Sequence, residues 1–198
     1  MKAQTEVISL VLIAGIIVSL VGVAYFWGKP LIEKRTTTSQ FLTASRFMDT
    51  LNDRIVTVAR CTKKTGCSDE VLFPVKGLMS INEKNNSIIF LMHIQQPILT
   101  DGEIPMNTAN IENVTYYGEV PGVIFFEGEK RGSENFIKFR LWYRTLEDEK
   151  KKTRYIIKLN PGASKAGTNS IRISFINTTS EHVEGYEIVR TNIEVSVL

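Results

Sequence analysis

Cys61 and Cys67 stand with five residues between them in the polar run CTKKTGC. Two thiols at that spacing, with a glycine inside, suit a small disulfide loop in an oxidising compartment. Closing so short a loop contributes only about 2 kcal/mol in chain-entropy terms. Free thiols are one alternative and half of a metal site is another. Zinc takes four ligands, however, and the only two histidines, His93 and His182, fall in separate strand-like regions.

Three N-x-S/T triplets, at Asn85, Asn113 and Asn177, sit in polar, turn-like contexts and are acceptors for an N-linked saccharide on an exported domain. Other chemistry is hard to assemble. The chain has no G-x-S-x-G, H-E-x-x-H, Walker loop or G-x-G-x-x-G. His93, in SIIFLMHIQQ, lies on the strand face opposite Ile94, and His182 lies in the turn-like TTSEHVEG. Neither has a neighbouring serine or cysteine to make a nucleophile–base pair. Asp148 and Glu149 fall on a loop tip, and Asp101-Gly102-Glu103 is far short of a calcium coordination set. The expectation is a protein without catalytic, cofactor or metal residues.

Lys and Arg number 24 against 21 Asp and Glu, a net charge of +3 with the signs interspersed. That pattern makes no phosphate-binding stripe, so nucleic acid is not an expected partner. The run EDEKKK (147–152) reads as a solvated hairpin tip between two strands.

The elements that must position these groups divide sharply. Residues 7–27, VISLVLIAGIIVSLVGVAYFW, carry no charge. At ~1.5 Å per residue they make a helix about 30 Å long, the thickness of a bilayer core. Tyr25, Phe26 and Trp27 crowd one end, where amphipathic rings settle at the headgroup level. A secretory signal has a shorter apolar region and a small-residue cleavage site, so a retained transmembrane helix is expected here. From residue 28 to 60, Phe41, Ala44, Phe47, Met48, Leu51, Ile55, Val58 and Ala59 recur at helical steps. They predict an amphipathic helical stalk packing on the domain, with Thr38 or Ser39 as its cap and Pro30 as a kink or a new start.

Beyond Arg60 the period changes to two. Strands are predicted at 71–75, 87–94, 114–117, 123–127, 136–146, 154–159, 170–176 and 186–197. In the fifth, Ile137, Phe139, Leu141 and Tyr143 form a buried face, and Lys138, Arg140 and Arg144 a wet one. Turns are predicted at 83–86, 130–133 and Asn160-Pro161-Gly162. The fold class is therefore mainly β. An N-terminal transmembrane α-helix is extended by an amphipathic helix and followed, over 61–198, by an antiparallel β-sandwich, immunoglobulin-like as first choice. The last strand is expected to pair within its own sheet.

The first six residues, Met1-Lys2-Ala3-Gln4-Thr5-Glu6, turn apolar at once. This start resembles the class III signal peptides of archaeal type IV pilin-like proteins, over about the first 30 residues and in the overall layout. The resemblance implies a prepilin peptidase cutting after a basic and a small residue, with Lys2 basic, Ala3 small and Gln4 the new N-terminus. Glu6 is expected in the first turn of the helix, where the macrodipole favours a carboxylate by ~0.3–1 kcal/mol. In filaments of that family an acidic residue near this point pairs with a neighbouring subunit's amino terminus.

Topology signals disagree. Lys2 precedes the helix while Lys29, Lys34 and Arg35 follow it, and by the positive-inside count alone the domain is cytoplasmic. The cysteine pair, the three sequons and the resemblance point outward. The expectation adopted is a single-pass membrane protein with an extracytoplasmic domain. It is non-enzymatic, surrounded by membrane lipid, and acts as a subunit or minor component of a cell-surface filament through self-association or other pilin-like subunits. The alternative is an uncleaved, membrane-anchored binding or accessory module, such as an envelope-anchored partner of a filament motor.

Overall fold

The structure, a computed structural model, describes residues 2–61, 66–98 and 100–164, and 170–198, with side chains from Leu10 onward except Ser164. One long helix leads, α1 (Lys2–Ala59), and eleven strands follow. They are β1 (Ser68–Leu72), β2 (Leu78–Asn82), β3 (Ser87–Ile94), β4 (Ile104–Pro105), β5 (Val114–Tyr116), β6 (Gly122–Arg131), β7 (Glu134–Tyr143), β8 (Thr145–Asp148), β9 (Thr153–Ser164), β10 (Ser170–Val183) and β11 (Tyr186–Val197).

α1 runs through Pro30 without a break, so no second helix starts near Ser39. Proline removes one backbone donor but leaves φ helical. Of the two cap candidates, Thr38 bonds back into the helix instead, its Oγ1 donating to the Lys34 carbonyl at 3.0 Å, as Thr36 Oγ1 does to Ile32 at 2.9 Å. Because α1 begins at Lys2, Glu6 lies beyond the first turn, which holds no acidic residue. A chain beginning at Gln4, as the resemblance implies, would place Glu6 in the first turn, where the macrodipole favours a carboxylate. Two compact units divide inside α1, Met1–Ser39 and Gln40–Leu198.

In the second unit the helical stripe is core. Ala44, Met48, Leu51 and Ile55 are fully buried, with Phe47 and Val58 nearly so. They meet the inner faces of two sheets in one cluster. The five-stranded sheet has the order β2-β3-β7-β6-β4 and contributes Ile88, Phe90, Met92, Ile137, Phe139 and Leu141. The six-stranded sheet has the order β1-β10-β11-β9-β8-β5 and contributes Leu159, Ile171, Ile173, Ile193 and Val195. Phe47 packs on Phe90 with ring centroids 5.5 Å apart, and Phe41 on Phe126 at 5.2 Å. At roughly 1.5–3 kcal/mol for each large apolar side chain buried, this seam is the main reason the helix ends inside the domain.

Where α1 crosses the β6–β7 pair, Gly122 leaves room for Asn52: a β-carbon there would collide with the Asn52 amide and press on Leu141. Tyr143 Oη donates to Asn52 Oδ1 at 3.1 Å inside the core. Burial, helped by the charge of Asp53, pushes the Tyr143 hydroxyl well above its ordinary value, so it stays a donor.

Pairing is rich in antiparallel contacts, with two exceptions. β9 and β11 run parallel because β10 returns along the far side of β11, and β5 pairs β8 in parallel. The last strand is interior to its sheet, flanked by β10 and β9, as the intramolecular reading expected. β2 and β4 were not foreseen.

Asn160-Pro161-Gly162 is not a turn but the continuation of β9. β8 pairs only the start of β9, so Pro161 has an unpaired side on which a missing N–H costs nothing. Gly162 fits because the Ser196 hydroxyl and the Glu194 side chain occupy the place of a β-carbon. Arg144, expected on the wet face, is fully buried at the break between β7 and β8. Its guanidinium donates to the Val120 carbonyl at 3.0 and 3.1 Å, to Asn110 at 2.8 Å and to the Glu119 carboxylate at 2.9 Å. Buried arginine is tolerated when its donors are met in this way.

Two asparagines act as surrogate strand. Asn86, in the β2–β3 turn at φ +48°, donates to the carbonyls of Ile157 (2.6 Å) and Tyr143 (3.3 Å) and accepts the Leu159 N–H (2.9 Å). It closes the edge of β9 and ties one sheet to the other. Asn107 does the same for β6, donating to Gly122 O at 2.7 Å and accepting Ile124 N–H at 2.9 Å.

Candidate functional site

The backbone of Lys2, Ala3, Gln4 and Glu6 is helical, and their side chains lie outside the described residues. From Leu10 the helix is described in full. Leu12, Ile16, Leu20, Val23, Phe26 and Trp27 are exposed on all sides, Trp27 at 83%. The stretch is long and apolar enough to cross a membrane, and as an N-terminal segment it fits a membrane anchor or a signal sequence. A contiguous apolar surface of this extent marks a contact surface for a membrane or for other protein. Tyr25 and Phe26 meet edge to face at 6.1 Å. A shallow hollow of about 400 Å³ opens on the helix surface between Phe26, Trp27, Pro30, Leu31 and Lys34. Gly15, Ser19 and Gly22 fall at steps of four and three along the same stretch, and nothing lies within 4 Å of a β-carbon at either glycine.

Where α1 ends, Cys61 and Cys67 are joined in a disulfide, with Cα atoms 6.4 Å apart, and no free cysteine remains. The expected bridge is therefore present. Arg54 adds an ion pair to Asp69 of β1 at 3.0 Å, so the helix end is held to the sheet by a covalent and an ionic link.

Beside this helix end lies a groove of about 280 Å³ that sequence reading did not find. Its floor is Tyr155 and Ile157 of β9 with Val189 and Thr191 of β11, which stand opposite one another in register. The next pair along, Leu159 and Ile193, is fully buried, so the groove is the core face of the sheet emerging past the helix. Tyr117 and Leu146 form one wall, with the Tyr117 and Tyr155 rings 4.9 Å apart, and Val56, Ala59 and Arg60 form the other. The lining offers apolar surface, two phenols and one cation. Its described lining pairs no nucleophile with a base, and an apolar groove edged by a few polar groups is the usual form of a ligand site.

No family model, curated protein or solved structure matches this chain.

The remaining predicted residues are scattered. His93 is exposed and packs on Phe136 at 5.6 Å, and His182 is exposed on β10. Among the described residues no three His, Cys, Asp or Glu gather to hold a metal. Glu103 of the candidate calcium loop is engaged elsewhere, with Arg140 and with Lys138 at 3.3 Å. Burial raises its carboxyl, but the two cations outweigh this and hold it below the ordinary carboxylate value. Glu149 lies in the β8–β9 turn, whereas Asp148 is the last residue of β8 and its side chain is 15% exposed.

The sequon asparagines are all exposed, on three different settings. Asn85 is in the β2–β3 turn and Asn113 in the approach to β5. Asn177, expected in a turn, is inside β10 at a bulge, because the hairpin runs on to a two-residue tip. At that tip Glu184 and Gly185 both have positive φ, 51° and 82°, which a tight hairpin turn requires.

Proposed function

We propose that this chain is a pilin-like subunit or minor component of a cell-surface filament of the archaeal type, assembling through its N-terminal helix with the β-domain outside the cytoplasm. One observation carries the proposal: α1 is built into the domain core over 40–59 and carries a bare apolar surface over 10–27. In the membrane that surface faces lipid. After cleavage before Gln4 by a prepilin peptidase, it exchanges lipid for the helices of neighbouring subunits, and Gly15, Ser19 and Gly22 supply a line of close approach. The disulfide supports an oxidising, extracytoplasmic setting. Electron microscopy of sheared cell-surface material, with and without the gene, tests this. Filaments labelled by an antibody against the domain support it; a chain found only in the membrane fraction contradicts it.

The groove favours a second reading, an anchored binding module whose helix never leaves the bilayer. In that case Tyr155→Ala abolishes partner recovery from solubilised membranes without changing any filament.

A further inference from the structure

We infer that Asn177 is the glycosylated sequon of this protein and that its saccharide covers the longest strand edge left open among the described residues. The inference rests on the extracytoplasmic placement proposed above.

A transferase reads both the asparagine amide and the hydroxyl two residues on. At Asn85 that hydroxyl belongs to Ser87, which is fully buried. At Asn113 it belongs to Thr115, 4% exposed and already accepting Asn110 Nδ2 at 3.0 Å. Neither can be drawn into an enzyme site from the folded domain. Asn177, Thr178 and Thr179 are all exposed. The Asn177 side chain makes one contact, its Oδ1 accepting Asn192 Nδ2 at 2.7 Å, which leaves the amide nitrogen outside the bond.

The position matters as much as the access. β1 pairs β10 as far as Ser174, Cys67 O accepts the Phe175 N–H at 2.9 Å, and no described strand pairs residues 176–183 on that side. Those residues are exposed on both faces and carry a single acidic group, Glu181, with no lysine or proline to deter another strand. Asparagine and threonine side chains cap parts of two other strand edges, Asn86 on β9 and Asn107 and Thr100 on β6, and the outermost strands β1, β2, β4 and β5 are short. An open polar edge rich in β-formers invites edge-to-edge pairing. A bulge and a sequon coincide at Asn177, where the longest edge with no such cover among the described residues begins.

In the reaction, Asn177 Nδ2 attacks the anomeric carbon of a saccharide carried on a lipid diphosphate. The C–N bond forms as the C–O bond to the diphosphate breaks, the lipid diphosphate leaves with the electron pair, and the amide proton passes to a base of the membrane transferase.

Peptide-level mass spectrometry of the full chain from its own host is the test, run beside labelling of the reduced cysteines in intact cells with an impermeant thiol reagent. The expected result is a saccharide on the Asn177 peptide and bare peptides at Asn85 and Asn113. A bare Asn177 on a chain whose cysteines label in intact cells overturns the inference alone. Cysteines that label only after lysis overturn the placement, and the inference with it. A saccharide at Asn85 or Asn113 overturns the selection by buried hydroxyls. Thr179→Ala preserves the Asn177–Asn192 bond, so it and Asn177→Gln should both lose the saccharide and self-associate with concentration in detergent. Variants that lose the sugar yet remain monomeric overturn its role as edge cover.

Discussion

Asn86 has two separable duties, a backbone at φ +48° and a carboxamide that closes three bonds across the sheets. Asn86→Gly keeps the first and deletes the second. It should destabilise the domain by about 2–3 kcal/mol, since buried backbone groups are left unpaired, and Asn86→Ala should cost more by adding the strain of a left-handed alanine. Urea unfolding of the detergent-solubilised chain measures both, and equal midpoints for wild type and the glycine variant would refute the clasp. Glu103 sets a pH dependence of definite sign. Its carboxyl is held low in the fold, so its contribution is present above the unfolded value of about 4.3 and is lost as pH falls below it. Glu103→Gln should therefore flatten the acid limb of stability against pH. At this scale the sequence was legible where periodicity governed, as for Ile137, Phe139 and Leu141. It was illegible at Arg144, because alternation cannot reveal that a strand breaks beside two carbonyls and a carboxylate that need a donor.

The helix–sheet contact at Gly122 and Asn52 is an element-level lock. Gly122→Ala should cost about 1–3 kcal/mol by overpacking. Asn52→Ala opens the space but strands the Tyr143 hydroxyl, and the double variant should cost less than the two single changes together. Additive costs would mean that the two residues do not meet. Reduction of the Cys61–Cys67 bridge should lower stability by about 2 kcal/mol, visible as a shifted midpoint with dithiothreitol. Most elements were readable from turn chemistry and period two, including β3 and β11 to the residue. β2 and the second half of β9 were not. β2 follows a proline and a glycine and has no clean alternation. Pro161-Gly162 looks like a turn until the free edge beside it and the β11 side chains above it are known.

For the molecule as a whole, a strand-rich domain behind one apolar helix was legible from the absence of charge over 7–27 and the change of period after Arg60. The groove was not, since it gathers the helix end, the approach to β6, and β8, β9 and β11, which only the tertiary fold brings together. The same helix serves as domain core and as membrane-length surface, and this joins the fold to the proposed function. A helix wedded to its domain carries that domain wherever it goes, into the bilayer or into a fibre. In the proposed function, which of the two is its final place depends on the bond between Ala3 and Gln4. The direct measurement is the N-terminal peptide of the chain recovered from sheared surface filaments by mass spectrometry. The account predicts a chain beginning at Gln4; a chain that keeps Met1, in cells containing an active prepilin peptidase, would contradict it.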